Sequence, residues 1–510
     1  LTLFSSILAF ISVIGHRVFT REFLFQQRHS SASKTLVYGA GSAGVQFVTA
    51  SMQGDTFNVI GYIDDDESIR GSSIHGRTVY PSKDIKPLVK KYGIQIIVLA
   101  LPSISKTERR RIIESLIPLP ARVITVPTFE DLIEGKQITQ TENISVEDLL
   151  GRDPVPPLNN YIKAPTEGKI CLVTGAGGSI GSELCRQIAK FNPEQIILFD
   201  ISEPALFDIE QDLFQLGFTN ILCYLGSVTD ENLLSKIFTE NKIDSVFHAA
   251  AYKHVPMVEA NPMAGLINNV EGTRKILLAA QNSKCESFTF ISSDKAVRPT
   301  NIMGATKRIA EMICQQAANT NDSNMTISMV RFGNVLGSSG SVIPTFQKQI
   351  KQGGPITLTH MEITRYFMTI DEAAQLVIQA AGMAEGGDLF LLDMGTPIKI
   401  YDLAERLIRL SGKTVKQDTS LSESGAIEIK ITGLRSGEKL YEELLVDADA
   451  LKTEHPKIMR AREQYIDEAT LNTFLEGIKK AMNDGDTPKF KKLLKEIVVG
   501  YQPSELGQND

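Results

Sequence analysis

The order of apolar and polar positions along the chain predicts two successive α/β units. In the first unit, an apolar strand at residues 35–38 is followed by a glycine-rich loop, a helical stretch and a second strand at residues 60–64. Short apolar runs at residues 96–100 and 123–126 extend this βαβ start into a small parallel sheet, which we expect to finish near residue 150.

The second unit repeats the alternation of strands and helical spans on a larger scale. Its predicted strands lie at residues 170–173, 195–199, 245–247, 287–291 and 327–330. Parallel strands separated by helices predict a doubly wound sheet with ligands over the carboxyl ends of the strands. From Asn334 onward the alternation loosens, and short helices such as 371–381 predict a smaller substrate lobe.

The first residues form an apolar run at 1–14, followed by the basic residues His16, Arg17, Arg21 and Arg28. The run is shorter than the roughly 20 residues that cross a bilayer. Cations on its trailing side favour the end of a truncated transmembrane helix with a cytoplasmic exit. A buried helix of a soluble protein is the alternative.

The composition and net charge indicate a globular protein that does not bind nucleic acid. With 42% hydrophobic and 22% charged residues the chain is typical of globular proteins, and a net charge of −7 argues against a nucleic-acid partner. The five cysteines contain no CxxC pair, so we expect no metal site and no disulfide framework, only buried free thiols in a reducing compartment.

The glycine loop of the second unit predicts a dinucleotide site. It follows a strand, opens a helix, and is followed by Asp200 at the end of the next strand. The predicted pyrophosphate-binding residues are Gly175, Gly178, Ser179, Ile180 and Gly181. Asp200 can accept hydrogen bonds from both ribose hydroxyls and would repel a 2′-phosphate, so NAD is favoured over NADP.

The first unit carries a similar cluster, with Gly39, Gly41 and Gly44 followed by Asp64. This spacing indicates a possible second nucleotide site. Because no catalytic pattern follows it, a regulatory role and a purely structural role both stay open.

Five stretches together resemble a known family: residues 174–183, 248–256, 293–297, 334–344 and 435–439. They are similar to the extended short-chain dehydrogenases/reductases that modify nucleotide sugars. Within these, they resemble the membrane-bound UDP-N-acetylglucosamine 4,6-dehydratases (C6 dehydratases) of the polysaccharide biosynthesis protein family.

The resemblance implies two Rossmann-like doubly wound parallel-sheet domains in tandem, the second with a smaller C-terminal substrate lobe, preceded by a truncated transmembrane helix. The expected division is a transmembrane remnant with its juxtamembrane segment at 1–33, a Rossmann-like domain at 34–150, a proline-rich linker at 151–167, a catalytic domain with its substrate lobe at 168–500 and a tail at 501–510.

The catalytic pattern departs from the ordinary one. Most members of the superfamily use Tyr-x-x-x-Lys, in which the lysine lowers the pKa of the tyrosine so that it can act as a base. This chain has Met303 and Lys307 at those positions. Methionine carries no proton, so the base must lie elsewhere. The resemblance implies that the large dehydratases also have this methionine, and that Lys307 keeps its contacts with ribose and nicotinamide.

The side chains of Ser293, Asp294 and Lys295 could supply the acid and base groups that Met303 cannot. Eliminating water across C5 and C6 needs a base for the C5 proton and an acid for the C6 hydroxyl. The resemblance places Lys295 as the base, Asp294 as the acid and Ser293 at the C4 oxygen. Neighbouring side chains on a strand point to opposite faces, so this assignment requires the strand to end in a turn there.

The resemblance also implies further binding residues. Those near the cofactor are Ala249, Ala250, Lys253 and Asn269, and those for UDP and sugar are Lys253, Asn334, Arg365, Arg435 and Glu438. Arginine suits diphosphate and carboxylate suits ribose hydroxyls, although an arginine taken alone is more often part of a surface ion pair. His248 lacks metal-ligand companions and is expected to be a satisfied residue at a strand end.

The implied function is conversion of UDP-N-acetylglucosamine to a UDP-4-keto-6-deoxy sugar for bacterial glycan synthesis. The expected setting is the bacterial inner membrane, with cytoplasmic catalytic domains in a homo-oligomer. A UDP-sugar 4-epimerase is one alternative, against which Met303 argues. A non-catalytic NAD(P)-sensing regulatory protein is another, against which residues 293–295 and Lys307 argue.

Overall fold

In a computed structural model of the protein, the described residues are 32–503 except 53, 55, 128–136, 139, 145–147, 149–154, 321–323, 339, 417–425, 444–449, 462, 464 and 465. The apolar run at 1–14 and its basic flank therefore lie outside the described residues. Within the described part, none of the helices combines the length and the apolar character needed to cross a membrane.

The chain forms two compact units. The N-terminal unit comprises Leu1–Asp153, Phe346–Ile356 and Leu403–Lys430, and the C-terminal unit comprises Pro154–Thr345, Thr357–Asp402 and Ile431–Asp510. The predicted linker at 151–167 is only partly described, and it contains a short helix at Asn159–Lys163. This helix forms because Ile162 is fully buried in the core of the C-terminal unit.

The N-terminal unit contains a seven-stranded sheet in the order β3-β4-β2-β1-β5-β6-β7. Its strands are β1 Ser33–Tyr38, β2 Phe57–Ile63, β3 Ser73–Ile74, β4 Arg77–Tyr80, β5 Ile96–Leu99, β6 Arg122–Thr125 and β7 Glu142–Asn143, and its first helices are α1 Ser42–Ser51, α2 Ile85–Tyr92 and α3 Lys106–Leu116. The five central strands are parallel. Phe47 and Val48 of α1 pack against Val37 and Tyr62 in its core.

The chain from residue 155 to the last described helix contains the remaining elements. Its helices are α4 Asn159–Lys163, α5 Ser179–Ala189, α6 Glu203–Gln215, α7 Glu231–Glu240, α8 Val255–Ala260, α9 Pro262–Gly265, α10 Gly272–Asn282, α11 Ile302–Asn319, α12 Val342–Lys351, α13 Ile370–Met383, α14 Ile400–Leu410, α15 Glu468–Asn483 and α16 Thr487–Ile497. A π-helical turn spans Leu266–Glu271 and a 3-10 turn spans Asp294–Ala296.

The strands of this part follow the same numbering. They are β8 Ile170–Thr174, β9 Gln195–Asp200, β10 Ile221–Leu225, β11 Ser245–His248, β12 Ser287–Ile291, β13 Thr326–Arg331, β14 Asn334–Val335, β15 Ile356–Leu358, β16 Thr364–Arg365, β17 Phe367–Met368, β18 Asp388–Leu392, β19 Ile398–Lys399, β20 Ile429–Ile431, β21 Leu451–Lys452 and β22 Ile458–Ala461.

The main sheet of the C-terminal unit has nine strands in the order β10-β9-β8-β11-β12-β13-β18-β22-β21. The seven strands from β10 to β18 are parallel, and β22 and β21 add an antiparallel edge. Separate hydrophobic clusters cover the two faces, which is why the central strands are apolar along their length. Chain order reverses between β8 and β11, and this crevice is where doubly wound sheets bind ligands.

The strands predicted in both units are confirmed, with boundaries that differ by at most three residues. Strand Asp388–Leu392 lies beyond Asn334, where a smaller substrate lobe was predicted, and it pairs with β13 in the main sheet. All five residues of that strand are buried. The expectation of buried cysteines holds for four of the five; Cys223, on the edge strand β10, is exposed.

Candidate functional site

The glycine loop after β8 has two positions that only glycine can occupy. Gly175 has a φ of +67°, and a Cβ there would lie 2.8 Å from the backbone of Ala250. A Cβ on Gly181 would lie 1.9 Å from the carbonyl oxygen of Gly175. Helix α5 then begins at Ser179, followed by Ile180 and preceded by Gly178, so backbone N–H groups point from its N-terminus toward this loop. The predicted pyrophosphate-binding residues therefore form one cradle that suits a dinucleotide.

Asp200 ends β9 and holds the same loop. Its Oδ2 accepts a hydrogen bond from the backbone N–H of Gly177 at 2.9 Å, and its Oδ1 accepts one from Ser202 N at 2.9 Å. Because a carboxylate can accept about four hydrogen bonds, capacity for ribose hydroxyls is left. Ala249 and Ala250 follow β11 and face the loop, with Ala249 N bonded to the carbonyl oxygen of Thr174 at 3.1 Å.

The glycine cluster of the N-terminal unit has the same local construction. Gly39 has a φ of +107°, and a Cβ on Gly44 would lie 2.0 Å from the carbonyl oxygen of Gly39, whereas Gly41 faces open space. Asp64 accepts a hydrogen bond from Ala40 N at 2.7 Å, matching the bond between Gly177 and Asp200. Nucleotide binding there stays a prediction.

Asn269, which was expected near the cofactor, connects two segments of the chain through its side chain. It lies in the π-helical turn and is 1% exposed. Its side chain bonds the N–H and carbonyl oxygen of Tyr252, at 2.8 and 3.0 Å, and donates to Oγ1 of Thr306 at 3.0 Å. The loop after β11 is thereby fastened to helix α11. Lys253, in that loop, is exposed.

Helix α11 carries Met303 and Lys307 on its buried side. Met303 lies in the hydrophobic core, so the position of the usual tyrosine holds an apolar side chain. Nζ of Lys307 donates to the carbonyl oxygen of Ile291 at 2.7 Å and lies 4.6 Å from the centre of the Phe290 ring. Burial lowers the pKa of Lys307 to about 8, although Glu311 opposes that shift.

The turn that the assignment of Ser293, Asp294 and Lys295 requires is present. Strand β12 ends at Ile291, and a 3-10 turn starts at Asp294 with Ser293 as its N-cap. Ser293 Oγ accepts from Lys295 N at 3.2 Å and donates to Oδ1 of Asp294 at 2.8 Å. The turn places both charged side chains on one side, with Nζ of Lys295 3.0 Å from Oδ1 of Asp294.

Three side chains surround the Lys295 ammonium. Besides Asp294, they are Asn334, whose Oδ1 lies 3.4 Å from Nζ, and Glu442, whose Oε1 lies 3.6 Å from it. Burial, the largest effect, acts to lower the pKa of Lys295, but the two carboxylates outweigh it and raise the pKa above its usual value. Lys295 is therefore an ammonium at neutral pH.

Two carboxylate oxygens of this cluster have no hydrogen-bond partner. They are Oδ2 of Asp294, a residue 1% exposed, and Oε2 of Glu442, whose side chain is 4% exposed. A buried acceptor without a donor is destabilising, and an active site is where a ligand can supply the missing donor.

The predicted substrate residues converge only in part. Arg365 NH2 lies 3.3 Å from Oε1 of Glu438, and Arg365 Nε lies 3.9 Å from Oε1 of Glu442, which links both residues to the Lys295 cluster. Arg435 contributes its backbone N–H to Glu438 Oε2 at 3.1 Å, while its side chain is exposed.

The loop that carries Arg435 and Glu438 docks on the start of α11 through Gly437. The carbonyl oxygen of Gly437 accepts from Thr300 Oγ1 at 2.8 Å and from Asn301 Nδ2 at 2.9 Å. Asn301 also caps α11 by accepting from Gly304 N at 2.7 Å. One asparagine thus fixes both the loop of Arg435 and Glu438 and the helix of Lys307.

Sequence reasoning missed Glu442 and Asn301. Glu442 and its neighbour Glu443 have the same side chain, yet Glu442 is 4% exposed at Lys295 and Glu443 is 41% exposed and paired with Arg298. Only burial distinguishes them. For Asn301, an asparagine directly before a helical span was an available capping signal.

A buried ion-pair network contacts Ser292, the residue that follows β12. Arg331 is fully buried and pairs with Glu311 and with Glu463, at closest distances of 2.6 Å. Glu311 accepts from Oγ of Ser292 at 2.5 Å. Ser292 immediately precedes Ser293, so the network fixes the residue from which the turn starts.

His248 is a satisfied residue at a strand end, as expected. Its Nδ1 lies 2.7 Å from Thr174 Oγ1 and its Nε2 lies 3.0 Å from Thr273 Oγ1. Burial lowers the pKa of His248 to about 3, and the charge of Lys307 acts in the same direction.

Comparisons with known proteins place these features in context. Residues 171–463 match the family described as "Polysaccharide biosynthesis protein". The chain is 42% identical to the capsular polysaccharide biosynthesis protein CapD of Staphylococcus aureus, over 84% of this chain and 71% of that protein.

Two more distant relatives have named reactions. The UDP-N-acetylglucosamine 4,6-dehydratase (inverting) of Campylobacter jejuni is 33% identical over 56% of this chain and 79% of its own. A UDP-glucose 4-epimerase of Rickettsia massiliae is 33% identical over 56% of this chain and 80% of its own. Among solved structures, Pen from Bacillus thuringiensis is similar, with 34% identity and a TM-score of 0.52, covering 59% of this chain and 89% of that one.

Proposed function

The chain belongs to the polysaccharide biosynthesis protein family, and from that membership we propose that it is a 4,6-dehydratase of UDP-N-acetylglucosamine. The observation that carries the proposal is the buried pair of Asp294 and Lys295 at the carboxyl end of β12, beside a helix in which Met303 replaces the usual proton carrier. The relative from Campylobacter jejuni supports the choice of reaction.

A nicotinamide dinucleotide, when bound, supplies oxidation at C4 and reduction at C6. Gly175, Gly178 and Gly181 would give its pyrophosphate close access to backbone N–H groups, and the charge of Asp200 would favour NAD over NADP. Lys307, buried beneath the end of β12, is proposed to face ribose and nicotinamide.

The chain's own residues carry out the elimination. Ser293 is proposed to contact the C4 oxygen, Lys295 to take the C5 proton and Asp294 to protonate the departing C6 hydroxyl. As an ion pair, Lys295 and Asp294 are an ammonium beside a carboxylate, whereas the reaction needs a neutral amine and a protonated carboxyl. One proton transfer across the 3.0 Å between Lys295 and Asp294 interconverts these forms, and elimination restores the ion pair.

The substrate residues fit a nucleotide sugar. Arg365 and Arg435 are proposed to bind the diphosphate and Glu438 a ribose hydroxyl, with Asn334 and Lys253 nearer the sugar. Support comes from the contacts that link Arg365, Glu438 and Asn334 to the Lys295 cluster. Lys253 and the side chain of Arg435, both exposed, would have to reach the ligand from the surface.

A UDP-sugar 4-epimerase is the second candidate, favoured by the relative from Rickettsia massiliae. An epimerase would oxidise and reduce C4 without losing water. Both reactions must remove the proton of the C4 hydroxyl, which Met303, buried in the core, cannot take. The buried pair of Asp294 and Lys295 favours the dehydratase, because only water elimination needs a base for C5 and an acid for the C6 hydroxyl. The residues 293–295 and Lys307 argue against a third candidate, a regulatory protein that only senses the cofactor.

Incubation of the purified protein with UDP-N-acetylglucosamine separates the candidates by product mass. A dehydratase yields a sugar nucleotide lighter by one water, an epimerase yields an isomer of equal mass, and a sensor returns the substrate. Release of the bound nucleotide from the same preparation is expected to give NAD. A preparation loaded with NADP would contradict the argument from Asp200.

We also propose attachment to the bacterial inner membrane and assembly into a homo-oligomer. Support for attachment comes from the apolar run at 1–14 and the basic residues behind it. Membrane fractionation of cells expressing the full chain or residues 32–510 tests the first proposal, and light scattering of the purified protein tests the second.

A further inference from the structure

Glu442 is a buried carboxylate beside the proposed base. Its Oε1 lies 3.6 Å from Nζ of Lys295 and 3.9 Å from Nε of Arg365. Both distances are too long for good hydrogen bonds, so charge attraction orients this side chain. Its Oε2 has no hydrogen-bond partner.

Asp294, like Glu442, has a buried carboxylate oxygen that lacks a hydrogen-bond partner. Among the described side chains, the buried carboxylate oxygens without a hydrogen-bond partner are Oδ2 of Asp294 and Oε2 of Glu442. Both carboxylates contact the same ammonium, that of Lys295. Two unsatisfied acceptors in one small site call for a ligand that brings two donors.

We infer that Glu442 is a further catalytic residue, which accepts a hydrogen bond from the C6 hydroxyl of the substrate and then from the departing water. This inference rests on the proposed dehydratase function. The hydroxyl has a single O–H to donate, which Glu442 accepts while protonated Asp294 donates to the same oxygen. Water has two O–H groups, one for each carboxylate.

The bond changes balance. The C5 proton moves to the neutral amine of Lys295, and the electron pair of the C5–H bond is first held as the enolate of the 4-keto group. That electron pair then forms the C5–C6 double bond. The C6–O bond breaks, its electron pair leaves with the oxygen, and that oxygen takes the proton of Asp294. The site then holds an ammonium, two carboxylates and a water with two donors. The hydrogen bonds are stronger after C–O cleavage than before it, which is the condition for accelerating this step.

Glu442→Gln tests the inference, because glutamine keeps the size and removes the charge. The reaction is run in heavy water with UDP-N-acetylglucosamine, and two quantities are measured: deuterium at C5 of the recovered substrate and the yield of dehydrated product. C5 incorporation is expected to stay within a few fold of the wild type. Dehydration is expected to fall about 10- to 100-fold, the effect of losing a hydrogen bond to a charged group.

The neighbouring Glu443→Gln is the matched control, since the Glu443 side chain is 41% exposed and pairs with Arg298. It should leave both quantities unchanged. Glu442→Asp keeps the charge and should retain more dehydration than Glu442→Gln. Retained cofactor and an unchanged melting temperature will show that each variant is folded.

Substrate binding gives a second readout. UDP-N-acetylglucosamine should bind more weakly to Glu442→Gln, whereas its 6-deoxy analogue, which lacks the donor, should bind both proteins equally. Unchanged dehydration, or a parallel loss of C5 exchange and dehydration, would overturn the assignment. A wild-type protein that releases no water would instead refute the dehydratase function itself.

Discussion

Nζ of Lys295 lies 3.0 Å from Oδ1 of Asp294, although the two residues are consecutive in the chain. On a regular strand their side chains would point to opposite faces. The 3-10 turn that follows β12, capped by Ser293, brings them to the same side. The acid and the base of the proposed reaction are therefore positioned by a single local turn.

Replacing Lys295 with alanine should remove the base while leaving the cofactor cradle intact. In heavy water, the wild-type reaction should place solvent deuterium at C5 of the product. Lys295→Ala should abolish this incorporation and lower turnover about 10²- to 10⁴-fold, with the nucleotide still bound. Lys236→Ala, at an exposed ion pair on α7, is the control. Near-normal turnover of Lys295→Ala would make Lys295 a structural ion-pair residue.

The two glycine loops allow a paired test of which unit serves catalysis. A Cβ on Gly181 would lie 1.9 Å, and one on Gly44 2.0 Å, from a loop carbonyl oxygen, so either alanine variant must distort its loop. Gly181→Ala should lose the bound dinucleotide and all turnover. Gly44→Ala should keep both, because every proposed catalytic residue lies after residue 168. For each variant we would measure the nucleotide content after purification and the rate of water loss. An inactive Gly44→Ala variant that retains its cofactor would implicate the N-terminal unit in catalysis.

Gly437 should control substrate affinity. Its φ is +78°, and a Cβ there would lie 2.6 Å from Cβ of Asn301, so Gly437→Ala should displace the loop of Arg435 and Glu438. We expect KM for the nucleotide sugar to rise about tenfold or more, with the cofactor still bound. Gly433→Ala separates the causes, because Gly433 has a φ of +87° but no atom near a Cβ. An equal rise in both variants would point to backbone strain instead of loss of the contact with Asn301.

His248 should make the protein less stable in acid. Its pKa is about 3 when folded and 6.5 when unfolded, so below pH 6.5 the unfolded chain binds a proton that the folded chain excludes. Stability from this group is fully present above pH 6.5 and is lost as the pH falls toward 3, by roughly 5 kcal/mol in total. Urea unfolding of the wild type and of His248→Gln across this range should show their difference in free energy of unfolding shrinking with decreasing pH. A constant difference would contradict the assigned shift.

The sequence by itself determined the local elements and the glycine loop after β8. Strands such as Ile170–Thr174 and Ser287–Ile291 are apolar because both faces of a parallel sheet are covered, and that requirement is visible in the residues. The glycine spacing around Gly175 and Gly181 reflects close backbone approach within a few residues. The assignment of Asp294 and Lys295 likewise predicted a turn after β12, and the structure has a 3-10 turn there.

Only the tertiary structure decided which distant side chains share the site. Glu442 lies far along the chain from Lys295, and in sequence it is indistinguishable from Glu443; burial beside the ammonium separates the two. The return of Asp388–Leu392 to the main sheet was similarly hidden, because an apolar segment does not state which strand it will pair with. The period of apolar positions indicates whether a segment is a helix or a strand and which of its faces is buried. Contacts between different helices and strands depend on how the whole chain packs.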